Sequence, residues 1–274
     1  MYRVAILSLL VVFLAPAASW GDAWTIKRGR TLTFVTSTFT YGNHSFDANG
    51  KLVKVPEYKK FNLTASGEYG VRDWLTALVK TELRTEHAYG LVSRAFFQNP
   101  IFGGVSQDVF DHQTKTYGSL AGGARVRVLD GGPVVASVEV LAGTGGLDTL
   151  GAQAASDGPF VEARAQMGVG RDMFNTPFFA SAAAAYRYRM EADDSDEILL
   201  DVTVGADVLP HWTLLAQSFT TIETEGDAFN TKVSAGVVHQ VSKRLKVQAS
   251  GLATVAGRNT IQEFGGSLGF WWAF

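Results

Sequence analysis

The chain has 274 residues and no cysteine. That absence excludes disulfides, thiolate metal sites and a lipid anchor carried on cysteine, and it suits an exported protein that folds without oxidation. Charged residues are also sparse, at 18% against 46% hydrophobic, which is low for a water-soluble domain. The net charge is −2 and there is no basic run or basic patch interleaved with aromatics, which argues against a nucleic-acid partner. Beyond the N-terminus no stretch has the eighteen or so uninterrupted apolar residues of a membrane helix. Histidines number only 5, none at a metal-ligand spacing, so neither a metal nor another cofactor is expected.

The first residues read as a targeting segment. Arg3 gives a positive start, Val4 to Leu14 is apolar apart from Ser8, and small residues follow at Ala15, Ala17, Ala18 and Ser19. This is a secretory signal peptide over 1–23, with cleavage between 17 and 23; its apolar core is too short to span a bilayer. Residues 24–274 then form one domain.

That domain contains no heptads, no low-complexity tract and no linker. It shows apolar and polar residues in alternation, the signature of strands with two unlike faces. Lys60–Tyr69 is the clearest case: Phe61, Leu63, Ala65, Gly67 and Tyr69 oppose Asn62, Thr64, Ser66 and Glu68. Strand-like segments are expected at Thr31–Tyr41, Lys60–Tyr69, Trp74–Glu86, Tyr117–Leu129, Val134–Gly143, Phe160–Gly170, Pro177–Arg189, Glu197–Val208, Trp212–Glu223, Thr231–Gln240, Leu245–Ala256 and Ile261–Phe274. In Trp212–Glu223 the two faces are hard to tell apart. Gly42–Lys59 and His87–Thr116 read as irregular, the latter the longest such stretch. Most of these twelve segments run to about ten residues; at ~3.3 Å each and a tilt of ~40° they rise roughly 25 Å, the height of an outer-membrane apolar band. Connections after odd-numbered strands are mostly long and those after even-numbered strands short.

The last segment carries a family signature. Reading back from the end by twos gives Phe274, Trp272, Phe270, Leu268, Gly266 and Phe264, all apolar, against Ala273, Trp271, Gly269, Ser267, Gly265 and Glu263. This ending resembles the C-terminal strand of bacterial outer-membrane β-barrel proteins. The resemblance implies a single transmembrane antiparallel up-and-down barrel of 12 strands in the outer membrane of a Gram-negative cell. It also implies that both chain ends lie in the periplasm and that Phe270, Trp272 and Phe274 are read by the outer-membrane assembly machinery. Trp74, Trp212, Trp272 and Phe274 then fall where an aromatic girdle belongs.

A soluble barrel would bury the apolar face; a membrane barrel turns it outward to lipid. Nearly every charge in the strands sits on the other face, and a charge at mid-bilayer on the lipid side costs on the order of 2–4 kcal/mol. The inward set is therefore Lys80, Glu82, Arg84, Arg125, Arg127, Glu139, Glu162, Arg164, Arg187, Arg189, Asp201, Asp207, Lys232, Lys246 and Glu263. Arg125 and Glu139 stand at similar distances from the turn at Asp130-Gly131-Gly132-Pro133 and are expected to pair. A barrel of twelve strands has a backbone radius of about 12 Å, so these side chains leave a narrow channel, or none if they pair across it. Two readings stand together: a salt-bridged filling, and a path for small polar solutes. The favoured function is a narrow passive channel, with no catalytic motif found. The alternatives are a lipid- or peptide-hydrolysing enzyme with a rim site near His87, and a barrel that serves structure or surface interaction without transport.

Overall fold

The computed structural model describes residues 23–95, 106–144, 158–173, 176–191 and 195–274. The expected signal peptide, apart from Ala23, lies outside the described residues. The chain folds into twelve antiparallel strands: β1 Thr31–Phe46, β2 Leu52–Arg72, β3 Leu75–Ala95, β4 Ser106–Gly131, β5 Val134–Thr144, β6 Pro159–Met173, β7 Thr176–Arg189, β8 Glu197–Leu209, β9 Trp212–Glu223, β10 Phe229–Gln240, β11 Leu245–Arg258 and β12 Thr260–Ala273. Each pairs with its neighbours in sequence, and β1 pairs with β12 to close the barrel. Closure leaves no sheet edge, so backbone donors and acceptors are satisfied without water, the condition for crossing lipid with strands. At the seam Thr31 N donates to Phe274 O at 3.3 Å and Phe274 N donates to Thr31 O at 2.9 Å.

Period-two alternation sorts the side chains as a transmembrane barrel requires. Phe39, Val79, Leu120, Val140, Met167 and Leu268 face outward and are about half exposed, whereas Lys60, Glu82, Arg125, Glu162 and Arg187 face inward and are buried. Trp74, Trp212, Trp272 and Phe274 stand outward at the end of the barrel that holds both chain ends, hereafter the terminal end. There the Trp272 and Phe274 rings stack at 5.6 Å, with Phe270 one step further along the same face. Turns at this end are tight: Asp73–Trp74, Gly132–Pro133 and Pro210–His211 are two-residue connections.

Two expectations about irregular chain need correction. Of Gly42–Lys59, only residues 47–51 connect strands, since β1 runs to Phe46 and β2 starts at Leu52. Of His87–Thr116, β3 takes residues up to Ala95 and β4 those from Ser106, in unbroken register from Leu75↔Val126 to Ala95↔Ser106. The physical reason is that these extensions rise past the apolar band. With water on both sides the two faces need no contrast in polarity, yet the hydrogen-bonded ladder continues. Strands β2, β3 and β4 thus have 21, 21 and 26 residues, against 12 each for β9 and β10, and the wall is tall on one side.

Candidate functional site: the lumen

The lumen wall from β2 to β8 is a ladder of ion pairs. Its centre is Arg125, directly opposite Glu139 across the β4–β5 pair. Arg125 Nε and Nη2 donate to Glu139 Oε2 at 2.9 and 2.7 Å. Nη1 and Nη2 also donate to Glu68 at 3.1 and 3.2 Å, and Nη1 donates to the Trp24 carbonyl at 3.1 Å. All five guanidinium N–H groups are therefore engaged. Glu139 further accepts from Lys80 Nζ at 3.0 Å and from Gln166 Nε2 at 3.3 Å.

The ladder continues through alternate signs. Arg164 donates to Glu162 at 3.0 Å and to Asp201, and Arg187 donates to Glu162 at 2.7 Å and to Glu197 at 3.1 Å. Arg189 also meets Glu197, at 3.0 Å. The Arg187 guanidinium lies 5.0 Å from the centre of the Phe160 ring. Since inward residues recur every second position, neighbours such as Glu162 and Arg164, or Arg187 and Arg189, reach the same cluster from one strand.

A second, smaller cluster joins the other side of the barrel. Glu263 on β12 accepts from Lys60 on β2 at 2.8 Å and from Lys232 on β10 at 2.7 Å. Its backbone N–H donates to Thr254 Oγ1 at 3.2 Å. Above it on β3, Arg84 lies between Glu82 at 3.9 Å and Glu86 at 3.3 Å, and faces the Tyr117 ring.

The sequence-derived set thus falls into named neighbourhoods. Lys80, Arg125, Glu139, Glu162, Arg164, Arg187, Arg189 and Asp201 meet in the ladder; Lys232 and Glu263 meet in the second cluster; Glu82 and Arg84 meet on β3. Arg127 is less enclosed and pairs with Asp130 at 2.9 Å. Lys246 and Asp207 line a cavity of about 370 Å³ at the terminal end, with Val238, His211 and Trp212. The ladder also uses Glu68 and Glu197, and the second cluster uses Lys60. These stand at the ends of expected segments; their parity was the available signal.

From β7 to β11 the lumen wall changes character. Phe179, Leu199, Leu215, Phe219, Val238 and Leu252 face inward and are buried. Phe179, Leu215 and Val238 pack together, and the half-buried Trp24 ring packs against them. On β9 the inward residues include Leu215 and Phe219, which is why that segment shows no contrast between faces.

His87 at the far rim shares a 2.8 Å hydrogen bond between Nδ1 and Thr114 Oγ1. No group of three or more His, Cys, Asp and Glu fit for a metal occurs among the described residues.

No protein-family model matches the sequence, and neither does any curated protein. Solved structures do match. A COG4313 outer membrane channel from Pseudomonas putida F1 is similar with a TM-score of 0.62 at 15% identity, over 93% of this chain and 99% of that one. The β domain of the Bordetella autotransporter BrkA is similar with a TM-score of 0.48 at 14% identity, over 90% of this chain and 100% of that one. The first likeness shows the fold, a closed barrel of the bacterial outer-membrane kind.

Proposed function

We propose that the protein is exported with loss of its signal peptide, resides in the outer membrane, and acts as a narrow passive channel for small polar solutes. On this reading the terminal end faces the periplasm, the lipid contacts the uncharged outer face, and Phe270, Trp272 and Phe274 present the strand that the assembly machinery reads.

The observation that carries the proposal is the ionic interior. A filling that served rigidity alone would be built at no loss of stability from apolar side chains, because buried ion pairs rarely outdo well-packed hydrophobic residues. Instead the lumen holds Arg–Glu ladders and orphaned polar atoms. Thr40 Oγ1, Asn62 Oδ1, Ser137 Oγ and Gln166 Oε1 are buried with no hydrogen-bond partner among the described residues. A lining of this kind suits a path for polar solutes, which an apolar filling would exclude. The similar structure from Pseudomonas putida F1 is described as an outer membrane channel, which supports the same reading. The path is tight: Arg84, Glu139 and Glu162 are at most 2% exposed, so conductance is expected to be small.

The test is single-channel recording of pure, folded protein in planar bilayers. Small, discrete, passive steps are expected, with little preference for either ion sign, since the ladder alternates charge. Folded protein that gives no steps would overturn the channel and leave the barrel as a structural or surface element.

A further inference from the structure

Residues 24–27 precede β1 but do not trail away from the barrel. Ile26 N donates to Thr76 Oγ1 at 2.8 Å, Thr25 Oγ1 donates to the Asp73 carbonyl at 2.6 Å, and Arg28 N donates to Asp73 Oδ1 at 2.9 Å. Gly70 makes room for this approach: a Cβ there would lie 2.1 Å from the Lys27 carbonyl oxygen. The segment is thereby fixed to β2 and β3 at the terminal end.

From that anchorage Trp24 reaches across the lumen. Its ring lies against Gly168 on β6, where a Cβ would come within 2.4 Å of the indole. It packs on Phe179 of β7, Leu215 of β9 and Val238 of β10. Its carbonyl takes one N–H of Arg125 on β4. One short segment therefore touches strands all round the terminal mouth.

We infer that residues 24–27 are a built-in plug that closes the terminal end of the lumen, with Trp24 as its bolt and Gly168 as its seat. The inference rests on the channel reading. The plug's bonds suit a reversible closure. It contributes a neutral ring, a carbonyl, a hydroxyl and backbone N–H groups, so withdrawing it strands no charge. Arg125 keeps Glu68 and Glu139 when the Trp24 carbonyl leaves. The cavity of about 370 Å³ adjoins the indole's site through Val238, so there is space beside the bolt.

The absence of native cysteine makes the test direct. Ile26→Cys places one thiol in the plug at a half-buried position, and Arg28→Cys, at an exposed position, provides the control. With protein folded into vesicles, as checked by heat-modifiable migration, a membrane-impermeant maleimide should label Ile26→Cys at least about threefold more slowly than Arg28→Cys, because a half-buried thiol in a docked segment reacts chiefly through local opening. Gly168→Val fills the seat and should bring the two rates together. Gly168→Val and Trp24→Ala should each raise single-channel conductance above that of the native chain.

Equal labelling of Ile26→Cys and Arg28→Cys in the otherwise native chain would overturn the docking. Faster labelling in Gly168→Val with conductance unchanged in both variants would overturn closure, because the segment would have moved without opening anything. If neither the native chain nor the variants conduct, the channel reading fails and the plug has nothing to close; the thiol rates still report the docking by themselves.

Discussion

The two halves of the lumen wall fill the same space by opposite means. From β2 to β8, space is occupied by forked cations and carboxylates, and Arg125, Glu139, Glu162, Arg164, Arg187 and Glu197 are each engaged by two or more partners. From β7 to β11, apart from buried polar residues such as Lys232, it is occupied by Phe179, Leu215, Phe219 and Val238, which need only shape and contact. Ionic filling is specific: every member has a required place, and removing one leaves charges facing each other. Apolar filling is forgiving, because dispersion and burial are non-directional. A movable element belongs on the forgiving half, and the Trp24 ring rests there.

The sharpest way to break this comparison is to remove the centre of the ladder. Arg125→Ala leaves Glu68 and Glu139 without their shared guanidinium, and Glu139 is nearly inaccessible. Stranding a buried charge costs about 3–5 kcal/mol. That loss is expected in urea unfolding from lipid vesicles, and Arg125→Met combined with Glu139→Gln should lose less than Arg125→Ala alone. A loss under about 1 kcal/mol would mean that water already screens the ladder as it screens surface pairs, and the distinction between the halves would collapse.

Much of this was legible in the sequence, and for identifiable reasons. The lipid-facing side tolerates no charge, so parity alone separated Phe61, Leu63 and Val140 from Arg125, Glu139 and Arg187. The Arg125–Glu139 pair followed from similar spacing about the turn that joins their strands. The tall β3–β4 wall was hidden because pairing beyond the apolar band leaves no mark of polarity on residues such as His87 and Thr114. The apolar half was hidden because Leu215 and Phe219 face inward as greasily as Leu214 faces outward. Trp24 was hidden because its seat, Gly168, is distant in the chain and is one small residue among many.

A smaller effect should follow from thinning the apolar half. Leu215 is 5% exposed and packs with Phe179 and Val238. Leu215→Ala removes that contact and leaves a space, which in buried sites costs about 2–5 kcal/mol. The lower end, about 2 kcal/mol, is expected, because the neighbouring cavity and the Trp24 ring allow partial collapse. The same urea titration measures it. A loss equal to or above that of Arg125→Ala would show the apolar half to be as exacting as the ionic one.

The least effect is expected within the ladder itself, at Lys80. Its 3.0 Å bond to Glu139 is only slightly longer than the 2.7 Å contact made by Arg125, but its side chain is 31% exposed where that of Arg125 is 3%. Water therefore screens the Lys80 charge, and exposed pairs contribute about 0–1 kcal/mol. Glu139 also keeps both bonds from Arg125 and the one from Gln166 when Lys80 is gone. Lys80→Met should thus lower unfolding stability by less than about 1 kcal/mol. If it costs as much as Arg125→Ala, the number of engaged donors and their burial are not what makes the ladder specific; the sum of charge around Glu139 is.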